Sequence, residues 1–215
     1  MVTGKNAITC ATAAALLLSG PMTAAAAEDP VAEYQVMVDV DRDGHSDTVT
    51  LSESRDGSTR MRIDGSTGKS VRVRLPFRGQ AVELSQRLAG AAAVTGPRNA
   101  DLVVLTESAV CNSYRILRWS RGGLSLVRHP GGGKEWRVCA LGVAPEGSGF
   151  RSFLRRNRVK MIVFTGRPAG NRVALNRKTS VWTGSGWRRL GTETTRVRAA
   201  STLRLWGLSL HWTSA

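Results

Sequence analysis

The stretch DTVTLSES, residues 47–54, returns as DLVVLTES at residues 101–108. A shift of 54 positions aligns the two copies without a gap, and the same shift carries Gly68 onto Gly122. The first copy alternates polar and apolar residues with a period of two, which is typical of a half-buried β-strand. An internal repeat of this length indicates copies of one supersecondary unit, so we expect a chain built from strand-rich units.

The same alternation recurs in TRMRI at residues 59–63 and VRVRL at residues 71–75. A turn rich in Gly and Ser, residues 64–70, separates these two segments, so they are expected to form a hairpin. A looser third copy begins with VKMIVFTG at residues 159–166. We therefore predict an all-β fold of antiparallel meander repeats of the propeller-blade type. The predicted units are at about residues 34–80, 88–141 and 150–212.

The N-terminus has the pattern of a secretory signal peptide, residues 1–27. An Ala- and Leu-rich run from Ala7 to Leu18 precedes small residues at Ala24 to Ala27. A run this short cannot cross a bilayer of about 30 Å as a helix, and no later run is long enough to do so. We expect a secreted, extracellular protein that consists of a single β-repeat domain, residues 28–215.

The cysteines predict one disulfide. Cleavage of the signal peptide would remove Cys10 and leave Cys111 and Cys139 in an oxidising compartment. Closing that loop would stabilise the fold by roughly 3 to 4 kcal/mol. A metal site or a catalytic thiol is the competing interpretation, but neither cysteine has a close His or second Cys at ligand spacing.

Just before the first copy lies DVDRDGHSD, residues 39–47. In a D-x-D-x-D-G-x-x-D loop, carboxylate oxygens can surround one cation while a backbone carbonyl adds another oxygen and Gly44 permits the sharp turn. Flexible all-oxygen ligation suits Ca²⁺ better than Mg²⁺. A solvated polar turn is the alternative. The predicted Ca²⁺ ligands are the side chains of Asp39, Asp41, Asp43 and Asp47 and the carbonyl of His45.

The second copy lacks most of these acids. By the 54-residue shift, Ala93, Thr95 and Pro97 replace the first three aspartates, and Asp101 alone matches Asp47. The loop is not an EF-hand, because Thr50 occupies the position of the bidentate Glu and strands flank the loop. Without a cation, four carboxylates this close repel one another, which predicts raised pKa values or a disordered loop.

The run DVDRDGHSDTVTL, residues 39–51, resembles FG-GAP and VCBS repeats. These occur in integrin alpha chains and secreted bacterial proteins, where an Asp-rich calcium loop joins strands of β-propeller blades. The resemblance implies Ca²⁺ as the cofactor. This chain has one such loop in three units and is short for a seven-bladed propeller. We therefore expect an incomplete propeller, a curved sheet or sandwich, or closure by oligomerisation.

The chain is strongly basic, with a net charge of +15. A GC-rich genome explains an excess of arginine without any function, whereas attraction to an anionic partner is the functional explanation. If Ile63 pairs with Val71 in the predicted hairpin, four arginines share one outer face. This candidate anion-binding set, which a solvated surface would also explain, is Arg60, Arg62, Arg72 and Arg74.

The sequence shows no G-x-S-x-G elbow and no H-E-x-x-H helix. We therefore expect a secreted, non-catalytic, calcium-binding module that associates with an anionic cell-envelope polymer or carbohydrate; nucleic acid is not the expected physiological partner. One alternative is a carbohydrate-binding module that uses exposed tryptophan, since all six tryptophans lie at or after Trp119. The other is a small secreted hydrolase, because the fold can bring two carboxylates together.

Overall fold

The computed structural model describes residues 32–120, 122–140, 146–210 and 212. The predicted signal peptide, residues 1–27, and Cys10 lie outside these ranges. The described residues are almost entirely β-strands, and the predicted all-β antiparallel fold is confirmed. None of the helices within the described ranges is long and apolar enough to cross a membrane.

Three antiparallel meanders of four strands follow one another along the chain. The first meander contains β1 (Glu33–Val38), β2 (Asp47–Glu53), β3 (Thr59–Asp64) and β4 (Ser70–Leu75). The second contains β6 (Leu88–Ala92), β7 (Asp101–Ser108), β8 (Cys111–Ser120) and β9 (Gly123–Val127). The third contains β11 (Gly147–Arg155), β12 (Arg158–Ala169), β13 (Arg172–Trp182) and β14 (Trp187–Arg198).

Shorter elements connect and cover the meanders. They are β5 (Arg78–Gly79), β10 (Trp136–Cys139), β15 (Leu208–Ser209), the helix α1 (Leu84–Arg87) and a 3-10 helix (Ala199–Leu205). The first meander is a sheet of its own, whereas β10 pairs with both β8 and β11 and so joins the second and third meanders into one sheet.

The 54-residue shift of the sequence is also a shift of structure. It carries β1, β2, β3 and β4 onto β6, β7, β8 and β9, each in the same place in its meander. In the first meander, Ile63 lies opposite Val71, as the alternation predicted. Met61 and Ile63 are buried while Arg60 and Arg62 are exposed, so the hairpin separates an apolar face from a charged one.

The central strand β7 of the second meander is buried on both faces over most of its length. Leu102, Val104 and Leu117 join a core with the first meander, formed with residues such as Val49 and Ile63. The residues that alternate with these along β7 and β8 point to the opposite face of the sheet. Val103 and Ile116 join a second core with Phe150 and Met161 of the third meander. This position explains why β7 is a continuous apolar run, since a strand covered on both sides has no solvent face.

Two further contacts complete the packing. A third core, on the far face of the third meander, consists of Ile162, Phe164 and Leu175, and the C-terminal segment covers it with Leu205 and Trp206. Between the second and third meanders, Trp136 of β10 is fully buried and donates its indole N–H to the carbonyl of Val127 at 3.0 Å. Most tryptophan rings therefore serve packing, as expected of large aromatic residues.

The two cysteines predicted to pair lie directly opposite each other on β8 and β10. Their sulfur atoms are 2.10 Å apart and their Cα atoms 4.5 Å apart, which is a disulfide geometry. The bond links β8 of the second meander to β10, which also pairs with β11 of the third meander.

Changing Cys111 and Cys139 together to serine should lower the free energy of unfolding by about 3 to 4 kcal/mol, because the unfolded chain regains the entropy of the open loop. Denaturant titration of the oxidised protein measures the difference. Reductant should shift the midpoint of the natural chain toward that of the double variant and leave the variant unchanged. Equal midpoints in oxidising buffer would contradict the prediction.

Candidate metal site

The acidic loop connects β1 to β2 at one end of the first sheet. One carboxylate oxygen from each of Asp39, Asp41 and Asp43 lies within 4.8 Å of the other two. These three side chains are partly or fully exposed. The structure therefore brings together three of the four aspartates that the loop pattern selected.

Asp39 organises the turn of this loop. Its Oδ1 accepts a hydrogen bond from the N–H of Arg42 at 2.6 Å, and its Oδ2 accepts one from the N–H of Gly44 at 3.1 Å. Arg42 and Gly44 both have positive φ, at 67° and 88°. Gly44 adopts this left-handed conformation without a steric cost, which is the role that the sequence predicted for it.

Asp41 and Asp43 each accept a hydrogen bond from the backbone two residues further on, at Asp43 (3.1 Å) and His45 (2.8 Å). Asp43 also accepts one from the hydroxyl of Ser66. Desolvation, opposed by the backbone hydrogen bond and reinforced by the neighbouring carboxylates, raises the pKa of Asp41. The pKa of Asp43 is lowered, chiefly by the hydrogen bond from Ser66. The expected rise in pKa is therefore found at Asp41 and is reversed at Asp43.

Asp47 is in a different environment from the other three aspartates. Its side chain is 1% exposed, and its Oδ2 accepts hydrogen bonds from the N–H groups of Val40 at 2.7 Å and Asp41 at 3.3 Å. Its Oδ1 accepts one from the N–H of Ser66 at 3.1 Å. Asp47 is outside the group of Asp39, Asp41 and Asp43. Its carboxylate holds the loop to the hairpin turn between β3 and β4.

Asp101 repeats this arrangement in the second meander, where the loop has no other acid. It is also 1% exposed, and its Oδ2 accepts hydrogen bonds from the N–H groups of Val94 at 2.9 Å and Thr95 at 2.6 Å. Val94 and Thr95 are the 54-residue counterparts of Val40 and Asp41. The same bonds without the acidic loop show that this carboxylate has a structural task independent of any metal. The D-x-D-x-D-G-x-x-D pattern alone cannot show whether its last aspartate has this structural role or binds a metal.

Two residues near the loop were not predicted from the sequence. Ser66 comes from the turn between β3 and β4 and contacts both Asp43 and Asp47. Arg98, from the corresponding loop of the second meander, lines a cavity of about 550 Å³ together with Asp39 and Asp41. Only the packing of the two meanders brings Arg98 to this place, so no local sequence pattern could have identified it.

The three clustered carboxylates fit a hard cation. All the donors are oxygens, and Ca²⁺ takes about six to eight of these in flexible geometry, with water or backbone carbonyls completing the shell. Asp39, Asp41 and Asp43 would hold such an ion, and the carbonyl of His45 stays a predicted additional ligand. A bound ion would neutralise like charges that otherwise repel one another.

The predicted arginines lie on the outer face of the same sheet. Arg60 is directly opposite Arg74, and Arg62 is directly opposite Arg72. All four residues are exposed, whereas the residues between them point toward the first core.

Asp47→Ala and Asp101→Ala should each destabilise the protein by about 1 to 3 kcal/mol per buried N–H that loses its acceptor, with or without calcium. Chemical denaturation of each variant, in calcium and in chelator, measures the effect. An Asp47→Ala loss that appears only when calcium is present would contradict the structural role.

Asp101 should make stability depend on pH. Burial, opposed by the hydrogen bonds from Thr95 and Val94, raises its pKa to about 6. Between its ordinary pKa and this value the folded state holds a proton that the unfolded state has lost, so stability falls as the pH rises through this window, by about 3 kcal/mol. Asp101→Asn keeps an oxygen acceptor and should lack this slope. Denaturation from about pH 4 to about pH 7 tests it, and identical slopes for both proteins would contradict it.

No family model, no curated protein and no solved structure matches this chain. The resemblance to FG-GAP and VCBS repeats accordingly stays a prediction that rests on residues 36–51.

Proposed function

We propose that this chain is a secreted, non-catalytic binding module in which Ca²⁺ stabilises the loop of the first meander and a basic surface meets an anionic partner. The main support for calcium binding is that one carboxylate oxygen from each of Asp39, Asp41 and Asp43 lies within 4.8 Å of the other two. Three carboxylates at that distance repel one another, and each attracts a cation placed between them. A shared cation therefore lowers the electrostatic free energy of the loop.

Ordering this loop also supports the first core. Val40 lies within the acidic loop, yet it is 2% exposed and packs with Val38 and Val49. A cation that fixes the aspartates on either side of Val40 would therefore hold an apolar side chain in place. The expected role of calcium is structural, with no chemistry on a substrate.

The basic surface supports an anionic partner. The segment from Arg151 to Arg204 has 14 basic residues and one acid, Glu193. Much of this charge is on the surface, because β14 is exposed along most of its length. A surface of this kind attracts polyanions by long-range electrostatics that salt screens, and an anionic envelope polymer is the partner we propose.

Packing does not favour the carbohydrate-binding alternative. Trp182 and Trp187 pack against the second core and Trp206 against the third. Trp212 is the large exposed ring among the described tryptophans, at 44%. One exposed ring beside Gly90 offers a single stacking surface, so the basic surface is the better candidate for a binding face.

Calcium should raise the melting temperature of the protein by about 5 to 10 °C at about 100 times its dissociation constant, and Mg²⁺ should do so less. Asp41→Asn/Asp43→Asn should abolish the increase, because it removes two charges while keeping the oxygens that accept the turn hydrogen bonds. Thermal unfolding in calcium, magnesium and chelator is the measurement.

Asp56→Asn is the matched control. Asp56 also accepts a hydrogen bond from a backbone N–H two residues further on, that of Ser58 at 3.1 Å, but it lies outside the acidic loop. This variant should keep the full calcium response. Equal melting temperatures in chelator and in several millimolar calcium would refute the calcium site and leave a solvated polar turn.

A further inference from the structure

The first sheet carries a regular array of arginines on its outer face. We call Arg60, Arg62, Arg72 and Arg74 the arginine face. Paired arginines on adjacent strands are about 5 Å apart at their Cα atoms, and successive arginines along one strand are about 7 Å apart. Four guanidinium groups therefore lie within reach of a single extended anionic molecule.

The charges of the arginine face are only partly compensated. Arg62 forms an ion pair with Asp64 at 2.7 Å, and Arg74 pairs with Asp56. Arg72 has neither an ion pair nor a hydrogen bond with the part of the chain that the structure describes. Since two cations directly opposite each other on adjacent strands are destabilising, the Arg62 and Arg72 pair is a place where an anion would be stabilising.

Thr50 supplies an independent observation at the same place. It lies on β2 directly opposite Arg62, which in turn lies opposite Arg72, so the three form one row across the sheet. Thr50 is only 5% exposed, and its hydroxyl group has no hydrogen-bond partner among the described residues. A buried hydroxyl without a partner is costly, and it can donate to an acceptor that enters the site.

These residues line one cavity of about 440 Å³, whose wall also includes Arg55 and Ser52. Two acids line it as well, Glu33 and Glu53. Glu53 is held by Arg87 at 2.6 Å, outside the arginine face. Glu33 lies opposite Ser52 and so borders the row of Arg60 and Arg74, not the row of Thr50, Arg62 and Arg72. The second row therefore presents two guanidinium groups to the cavity, together with one hydroxyl group that has no partner among the described residues.

We propose that this cavity binds the phosphate groups of a linear polyanion, with one phosphate held between the guanidinium groups of Arg62 and Arg72 above the hydroxyl group of Thr50. Donors from three directions match a tetrahedral phosphate, which has more acceptor oxygens than a planar carboxylate. Arg60 and Arg74, two residues away along the same strands, border this position, but each already has a partner, so the pair of Arg62 and Arg72 is the principal phosphate site. This inference rests on the proposed binding function, whose ligand class it names.

The cavity is separate from the acidic loop. The loop ends at Asp47, whereas Thr50 and Ser52 lie further along β2 and the arginines opposite them face the same way. Calcium binding and phosphate binding can therefore be tested separately. Failure of calcium to raise the melting temperature would leave the titration below unaffected.

The test is calorimetric titration of the full chain with sodium tripolyphosphate at low ionic strength and without added calcium, since tripolyphosphate itself binds calcium. We expect saturable binding that weakens about tenfold or more in Arg72→Gln, and clearly in Arg72→Lys, which keeps the charge but loses the planar fork. Thr50→Val should weaken binding several-fold without lowering the melting temperature of the free protein, because it removes an unsatisfied hydroxyl with little change of shape.

Arg137→Gln is the matched control, since Arg137 is an exposed arginine on β10, outside both the cavity and the segment from Arg151 to Arg204. This variant should bind as the natural chain does. Equal losses in Arg137→Gln and Arg72→Gln would overturn the proposal in favour of diffuse net charge. Binding of polygalacturonate with the same affinity and the same dependence on Arg72 would overturn the preference for phosphate. Binding to phosphatidylglycerol vesicles but not to tripolyphosphate would overturn the linear polymer as the ligand.

Discussion

Burial of β7 on both faces is the constraint on which the arrangement of the molecule depends. Because the second meander lies between the other two, Leu102 and Val104 face one core while Val103 faces the other. The first meander and the third each bury one face against it. This leaves the outer face of the first sheet available for charged side chains, and there the arginine face lies opposite the apolar side of the same strands.

A buried carboxylate fixes the same loop in the first two meanders. Asp47 and Asp101 begin equivalent strands, and each binds two backbone N–H groups of the preceding loop. Buried N–H groups need an acceptor. The second meander accordingly has this aspartate, although its loop lacks the other three acids. The buried aspartate thus fixes the loop in both meanders, and the other three acids are an additional feature of the first. A cation bound to them would further stabilise a turn that the buried aspartate already holds.

The two charged features of the first sheet are kept apart by strand geometry. The acidic loop precedes Asp47 at the start of β2, whereas the arginines pair with Thr50 and Ser52 further along that strand. This separation keeps the carboxylates of the acidic loop away from the guanidinium groups, whose ion pairs are with Asp56 and Asp64. It is compatible with a module in which one end is stabilised by a cation while an adjacent face attracts an anion.

The sequence alone determined the alternating strands of the repeats, the register of the β3–β4 hairpin and a loop with four candidate aspartates, because each depends on local alternation or on spacing within one loop. It could not separate the role of Asp47 from that of Asp39, since both fit one spacing pattern. Tertiary structure decided that question, because the hydrogen bonds from Val40 and Ser66 exist only once the loop packs on the β3–β4 turn. It also decided that Arg98 approaches the loop and that the hydroxyl group of Thr50 is buried without a partner, since both follow from neighbours distant in sequence.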